Sequence, residues 1–340
     1  MRPGVLLVPE YCTDANLRLV AQCGATDIVL TCPGFELAAL EAKLAHIRSF
    51  GLRVAVIERF VPHDKIVHDL PGRDEQVEKI KQLIINMGAC GVKTLCYNWM
   101  PSDDWTRTTT TRQDRGGALC TAFDVQSKPH ALAGNTLHDE VITPASKLWE
   151  TLERFLREVL PVCEQAGVEL ALHPDDPPLA VLHGKPQIVY NVEEIEKVTK
   201  LVKSPANGIC FCAGTFASAG IDVPAAIRRL GKSIKFVHSR NVHHELVEGL
   251  PAGSKFYETW QDNGDIDMHA AYRAFYAVLG ESDVVVRPDH VPTLEGESNS
   301  APGYHVLGRL FALGYLRGLM EAVQKESKEE RGQKRPACAS

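Results

Sequence analysis

Short runs of β-branched and aliphatic residues recur along the chain, and each is followed, directly or after a polar connection, by a stretch whose apolar positions repeat at helical spacing. The strand-like runs cover residues 4–8, 27–30, 53–57, 93–96, 169–172, 208–211, 234–237 and 284–286. The helical stretches cover 15–23, 36–49, 74–87, 147–166, 192–202, 223–230, 267–279 and 303–323, and several stop at a glycine (Gly51, Gly88, Gly167, Gly231, Gly280) where a left-handed cap would end a helix. Eight strand–helix units with no two strands in succession predict a parallel sheet covered by helices, and a closed (β/α)8 barrel accommodates them better than an open sheet. The first strand also lacks the G-x-G-x-x-G turn of a dinucleotide fold, and no Walker-type phosphate loop is present.

One catalytic domain is therefore expected over residues 1–323. The polar segment 324–340 (QKESKEERGQKRPACAS) reads as a fraying helix end followed by disorder. The long connections, 58–73, 97–146, 174–191 and 239–266, all follow strands rather than helices, which puts them on the carboxyl face of a barrel, where active sites form.

Composition narrows the function. The 340 residues are 44% hydrophobic and 24% charged, as in an ordinary globular protein, and a net charge of −6 without a basic block excludes nucleic acid as the main partner. A small anion can still be held by a few local arginines. The apolar run at the N-terminus stops at Pro9, too short for a secretory signal, and nothing approaches the roughly 18 apolar residues of a membrane span. The ten cysteines are expected as reduced thiols, and the cytoplasm as the compartment.

The last four strands end in Leu172-His173-Pro174-Asp175-Asp176, Phe211-Cys212-Ala213, Val237-His238-Ser239-Arg240 and Arg287-Pro288-Asp289-His290. Each apolar run finishes on a residue able to bind a metal: His173, Cys212, His238, Asp289. Alone, each has a plainer explanation, as a structural hydrogen bonder, a small buried thiol or a helix cap. Neighbouring barrel strands lie about 4.8 Å apart, so four successive ends can meet on one ion. Two imidazoles, a thiolate and a carboxylate suit Fe2+, Mn2+ or Zn2+ better than Ca2+ or Mg2+. Cys210, one layer deeper on the same strand face, is read as core.

Asp175 and Asp176 either orient the metal-binding histidines or cap a turn before Pro177. His290 and Tyr304 are the proton-transfer candidates, Tyr304 through the dipole of the helix it is expected to open, with plain packing as its alternative role. Arg59, Arg107, Arg240 and Arg287 lie near strand ends or in long connections, and one or two of them are expected to bind a carboxylate bidentately. His243-His244 is expected in a surface loop, and no mechanism attaches to the threonine run 108–111.

Several stretches resemble the mannonate dehydratase family: Cys96-Tyr97-Asn98-Trp99-Met100-Pro101 continuing to Asp104-Trp105-Thr106-Arg107-Thr108, His173-Pro174-Asp175-Asp176-Pro177-Pro178, Phe236-Val237-His238-Ser239-Arg240-Asn241, Gly264-Asp265-Ile266-Asp267-Met268, Arg287-Pro288-Asp289-His290, and Pro302-Gly303-Tyr304 with Arg309 and Gly314-Tyr315-Leu316. They run in order over residues 50–322. The resemblance implies a xylose-isomerase-like barrel that removes water from D-mannonate to give 2-keto-3-deoxy-D-gluconate in glucuronate catabolism, with Fe2+ or Mn2+ on His173, Cys212, His238 and Asp289. It also implies catalytic roles for His290 and Tyr304, and a homodimer. Asn98 joins the four arginines as a substrate-binding candidate. Where the family carries Gly-Arg after the last strand and Phe-His-Glu in the preceding loop, this chain has Val291-Pro292 and Phe256-Tyr257-Glu258, and both departures are expected to contact substrate. The rival readings are a sugar isomerase or epimerase on the same barrel, against which the Cys212 thiolate speaks, a phosphodiesterase acting on damaged DNA, which wants several metals and a basic face, and a non-catalytic relative.

Overall fold

A computed structural model describes residues 1–101, 105–127 and 141–333, with side chains as far as residue 330. Eight parallel strands close into a barrel: β1 (Arg2–Leu6), β2 (Asp27–Leu30), β3 (Arg53–Glu58), β4 (Thr94–Tyr97), β7 (Glu169–Leu172), β10 (Asn207–Cys212), β11 (Ile234–Ser239) and β14 (Val285–Pro288), paired in chain order until β14 meets β1. Four short hairpin strands lie in the βα connections: β5 (Thr109–Gln113), β6 (Leu119–Asp124), β12 (Asn241–His244) and β13 (Lys255–Thr259). A two-residue pair, β8 (Val181–Leu182) and β9 (Lys185–Pro186), completes the set among the described residues.

The barrel strands are buried on both faces, as the continuous burial of β10 illustrates. Side chains from Ala171 through Val29, Val56 and Leu6 up to Phe236 fill the interior, while two larger apolar layers lie between the strands and the helices. These helices are α1 (Asp14–Gln22), α2 (Leu37–Arg48), α3 (Asp64–His68), α4 (Arg73–Ala89), α5 (Ala145–Ala166), α6 (Val192–Leu201), α7 (Ala213–Ser218), α8 (Val223–Leu230), α9 (Met268–Leu279) and α10 (Val306–Gln333). Side chains of Thr13, Asn191, Asp222 and Asp267 accept from backbone N–H groups in the first turns of α1, α6, α8 and α9.

Four expectations need correcting. Gly88 does not cap its helix. It sits inside α4, where a Cβ would come within 2.4 Å of the Ala166 carbonyl oxygen, so the missing side chain serves close packing of α4 on α5. Strands do occur in succession: β12, β13, β6 and β5 form an antiparallel sheet at the carboxyl end of the barrel, tied to the segment after β14 by a Leu119–Thr293 bridge. His243 and His244 belong to β12, and both bond through Nδ1 to Asp265 at 2.7 Å. The last helix continues ten residues past Val323, because Val323 is buried and Glu326 and Glu330 reach His269 and Arg273 on α9. Residues 334–340 of the expected tail, residues 128–140 of the longest connection and Asp104 lie outside the described residues.

Candidate active site

The strand ends bring the four proposed metal ligands together. Cys212 ends β10 beside His238 on β11, His238 pairs with Arg287 on β14, and His173 and Asp289 follow β7 and β14 directly. Ligand atoms of His173, Cys212 and His238 all lie within 4.8 Å of one another. Asp289 completes the group, with Oδ2 3.6 Å from Cys212 Sγ and Oδ1 3.8 Å from His238 Nδ1. His173 Nδ1 donates to the Pro174 carbonyl at 2.6 Å, which leaves Nε2 with the lone pair a metal needs.

Charge at the cluster is set by its neighbours. Burial pushes the Cys212 thiol up, but the Arg240 charge and His173 overcome that and bring it down to about 5, so it stands as thiolate. Burial likewise opposes ionisation of Asp289, and His290, Arg287, His238 and Arg240 hold it well below the usual carboxylate range. Burial and Arg287 push His238 down, and the carboxylates of Glu58 and Asp289 more than reverse this. A thiolate and a carboxylate beside two imidazoles, in a field negative enough to raise His238, fit a borderline divalent cation.

His290 and Tyr304 lie beside this cluster, with His290 Nε2 2.9 Å from the Tyr304 hydroxyl. His290 Nδ1 lies 2.7 Å from both Glu258 Oε1 and Arg240 NH1, an acceptor and a donor, so either ring tautomer finds a partner. Trp105 covers the His290 ring at 4.4 Å between centroids. Tyr304 precedes α10 instead of opening it, and the guanidinium groups of Arg59 and Arg309 face its ring at 4.7 and 4.9 Å.

Three of the arginines are committed elsewhere. Arg107, Arg240 and Arg287 are 0%, 0% and 1% exposed. Arg107 clasps Asp176 through two bonds of 3.0 and 3.1 Å and also meets Glu258. Arg240 joins Asp176 to Asp289, and Arg287 joins Glu58 to Asp289. They hold protein carboxylates in place, which differs from the substrate-facing role expected of them. Arg59, after β3, and Asn98, after β4, are part-buried at the same mouth, and Asn98 Oδ1 accepts from the Met100 amide at 3.2 Å. The two aspartates take neither expected role. Asp175 Oδ2 accepts from Val189 N at 2.7 Å, closing the 174–191 connection, and burial pushes its carboxyl up to about 7. Asp176 is the shared anion between Arg107 and Arg240.

Tyr257 and Val291, in the two family departures, make protein contacts. The Tyr257 ring packs against His243 and Arg112, on the face of β13 opposite Glu258. Val291 bridges to Gly303 and packs toward Gly308 on α10. Four contributors were missed in the sequence. Glu58, with Oε2 3.3 Å from His238 Nε2, is the last residue of a strand predicted to end at Ile57, and the strand-end rule that found His173 would have found it. Thr215, which donates to Cys212 Sγ at 3.0 Å, and Trp105 carried no separate signal, and Glu258 depends on a sheet that was not foreseen.

A closed eight-strand barrel with this cluster at its carboxyl mouth defines an enzyme of the xylose-isomerase-like class. The fold agrees with a xylose isomerase domain protein from Planctomyces limnophilus, at TM-score 0.61 and 13% identity over 95% of this chain and 98% of that one. The model of the D-mannonate dehydratase (UxuA) family matches residues 13–143 and 135–330, and the chain belongs to that family. It is 34% identical to the mannonate dehydratase of Thermotoga petrophila, covering 83% of this chain and 84% of that one. It is also 34% identical to that of Streptococcus agalactiae serotype Ia, covering 83% and 85%. The crystal structure of mannonate dehydratase from Streptococcus suis serotype2 superposes at TM-score 0.84, with 30% identity over 96% of this chain and 95% of that chain.

Proposed function

We propose that the chain is a hydro-lyase that removes water from D-mannonate, giving 2-keto-3-deoxy-D-gluconate, with Fe2+ or Mn2+ held by His173, Cys212, His238 and Asp289. The observation that carries this reading is the meeting of those four side chains beside a bonded His290–Tyr304 pair in a member of the D-mannonate dehydratase family.

Dehydrating a 2,3-dihydroxy acid requires loss of the weakly acidic C2 proton and departure of the C3 hydroxyl. His173, Cys212, His238 and Asp289 would hold a divalent cation, whose Lewis acidity would favour negative charge on the substrate carboxylate. Tyr304 and His290 divide the proton work: one accepts the C2 proton and the other delivers a proton to the departing hydroxyl. Their 2.9 Å contact lets the proton pass between them for the next cycle. Glu258 and Arg240 hold the His290 ring from its far nitrogen, and Trp105 shields it from water. Arg59, over the Tyr304 ring, and Asn98, after β4, would receive the acid group and a hydroxyl. The product enol tautomerises to the keto acid.

Nine described cysteines are free thiols, in keeping with a cytoplasmic enzyme, and no helix among the described residues is long and apolar enough to cross a membrane. Light scattering would test the homodimer. The deciding experiment incubates metal-stripped protein, reloaded with Mn2+ or anaerobically with Fe2+, with a panel of aldonic acids and neutral ketoses. Formation of 2-keto acid from D-mannonate supports the reading. Epimerised ketose without keto acid overturns it.

A further inference from the structure

Beneath the four-ligand cluster lies a second group of soft donors, whose two thiols the dehydration does not use. Cys96 on β4 and Cys210 on β10 face the barrel interior from either side of β7. The matching β7 residue is Ala171, paired with Cys96 on one edge and Gly208 on the other, and its small methyl group lets the two thiols approach over it. The sulfurs of Cys96 and Cys210 and a ring nitrogen of His238 all lie within 4.8 Å of one another, and all three residues are buried. His238 Nε2 is buried and makes no hydrogen bond, with Glu58 Oε2 3.3 Å away. Cys210 and Cys212 share a strand face one pleat repeat apart, so the two donor groups stack about 7 Å apart along the barrel, and His238 belongs to both.

We infer that Cys96, Cys210 and His238 form a second cation position, for a thiophilic cation of the zinc class. Two thiolates and an imidazole are a softer set than the one above, and soft donors select such ions. Tetrahedral binding at about 2.3 Å to sulfur and 2.0 Å to nitrogen brings donor atoms to about 3.5–3.8 Å of one another, so the group needs to tighten by about 1.3 Å at most. Both thiols bind as thiolates and balance a dication, and Glu58 stands near as an oxygen donor. Because both positions draw on the one His238 ring and lie close together, a dication in the lower one repels a dication in the upper and weakens its imidazole donor, so thiophilic cations displace Mn2+ or Fe2+ from the centre.

Cadmium serves as the probe. In a Cys212→Ser chain, which has no upper thiolate, X-ray absorption of the Cd2+-loaded protein is expected to show two sulfur neighbours, falling to one when Cys96→Ser is added. Circular dichroism establishes that both chains are folded. The single variant Cys96→Ser is expected to keep keto-acid formation with Mn2+ and to resist cadmium inhibition several-fold better than the native chain. A cadmium shell without sulfur in Cys212→Ser, or a sulfur count unmoved by Cys96→Ser, overturns the inference. The sulfur count does not depend on dehydratase activity, so this outcome is separable from failure of the proposed reaction.

Discussion

Glu258 accepts from the His290 ring and pairs with Arg107 and Arg240. Burial raises its carboxyl, and Arg107, His290 and Arg240 together bring it down to about 2. A folded pKa below the unfolded value of about 4.3 means that the stabilisation is fully present above that pH and is lost as pH falls through the folded value. Thermal melts of the native chain and Glu258→Gln should therefore differ most above about pH 4.3 and converge toward pH 2, and a gap that widens with acid contradicts the assignment. At the proton-transfer pair, His290→Asn and Tyr304→Phe should each lower turnover by about 10²-fold or more with bound metal retained, as steady-state kinetics beside metal analysis will show. At this scale the sequence was legible where a reactive side chain closes an apolar run, as at His173, Cys212, His238 and Asp289. It was not legible where a role depends on a distant partner. Nothing local to Arg107 says that its guanidinium meets carboxylates 69 and 151 residues away.

The antiparallel sheet over the mouth is the element that presents Glu258. Its strands were hidden because Thr109–Gln113 and Leu119–Asp124 carry no sustained apolar alternation, and their partner strand is Lys255–Thr259. Barrel strands and covering helices, by contrast, write their burial into local periodicity, and apart from the far end of the last helix their bounds were read to within a few residues. The sheet's connection to α9 rests on Asn241, whose buried amide bonds the carbonyls of Gln261 and Ile266 and the amides of Val242 and Ile266 at 3.0–3.3 Å. Gly264 leaves room for it, since a Cβ there would lie 2.2 Å from Asn241 Oδ1. Asn241→Ala should cost about 3 kcal/mol or more by leaving these backbone groups unpaired, measured by urea denaturation, and a loss under about 1 kcal/mol contradicts this account. The far end of α10 is the opposite case. Glu326 and Glu330 reach α9 through exposed ion pairs of small worth. A chain ending at Val323 should unfold within about 1 kcal/mol of the full one, checked the same way.

Across the whole molecule, closure of eight parallel strands turns four strand-end residues from sequence positions 173 to 289 into one cluster. The long βα connections then lay Arg107, Asp176, Glu258 and Trp105 around it, so that buried arginines and carboxylates neutralise one another in a chain of net charge −6. That balance explains how Arg107, Arg240, Arg287, Asp176, Glu258, Asp289 and Glu58 can lie out of water, since each has an opposite partner at hydrogen-bond distance. The barrel and the cluster were legible in the sequence because both follow from the alternation of strands and helices, whereas the surrounding network forms only once the connections fold over the mouth. The central claim is that His173, Cys212, His238 and Asp289 hold one divalent cation, and it is tested most directly by the Mn and Fe content per chain of purified protein and its His173→Ala and Cys212→Ala variants. One equivalent in the native chain and near-zero content in both variants is the predicted result. A native chain that binds neither ion, or variants that keep full occupancy, would contradict it.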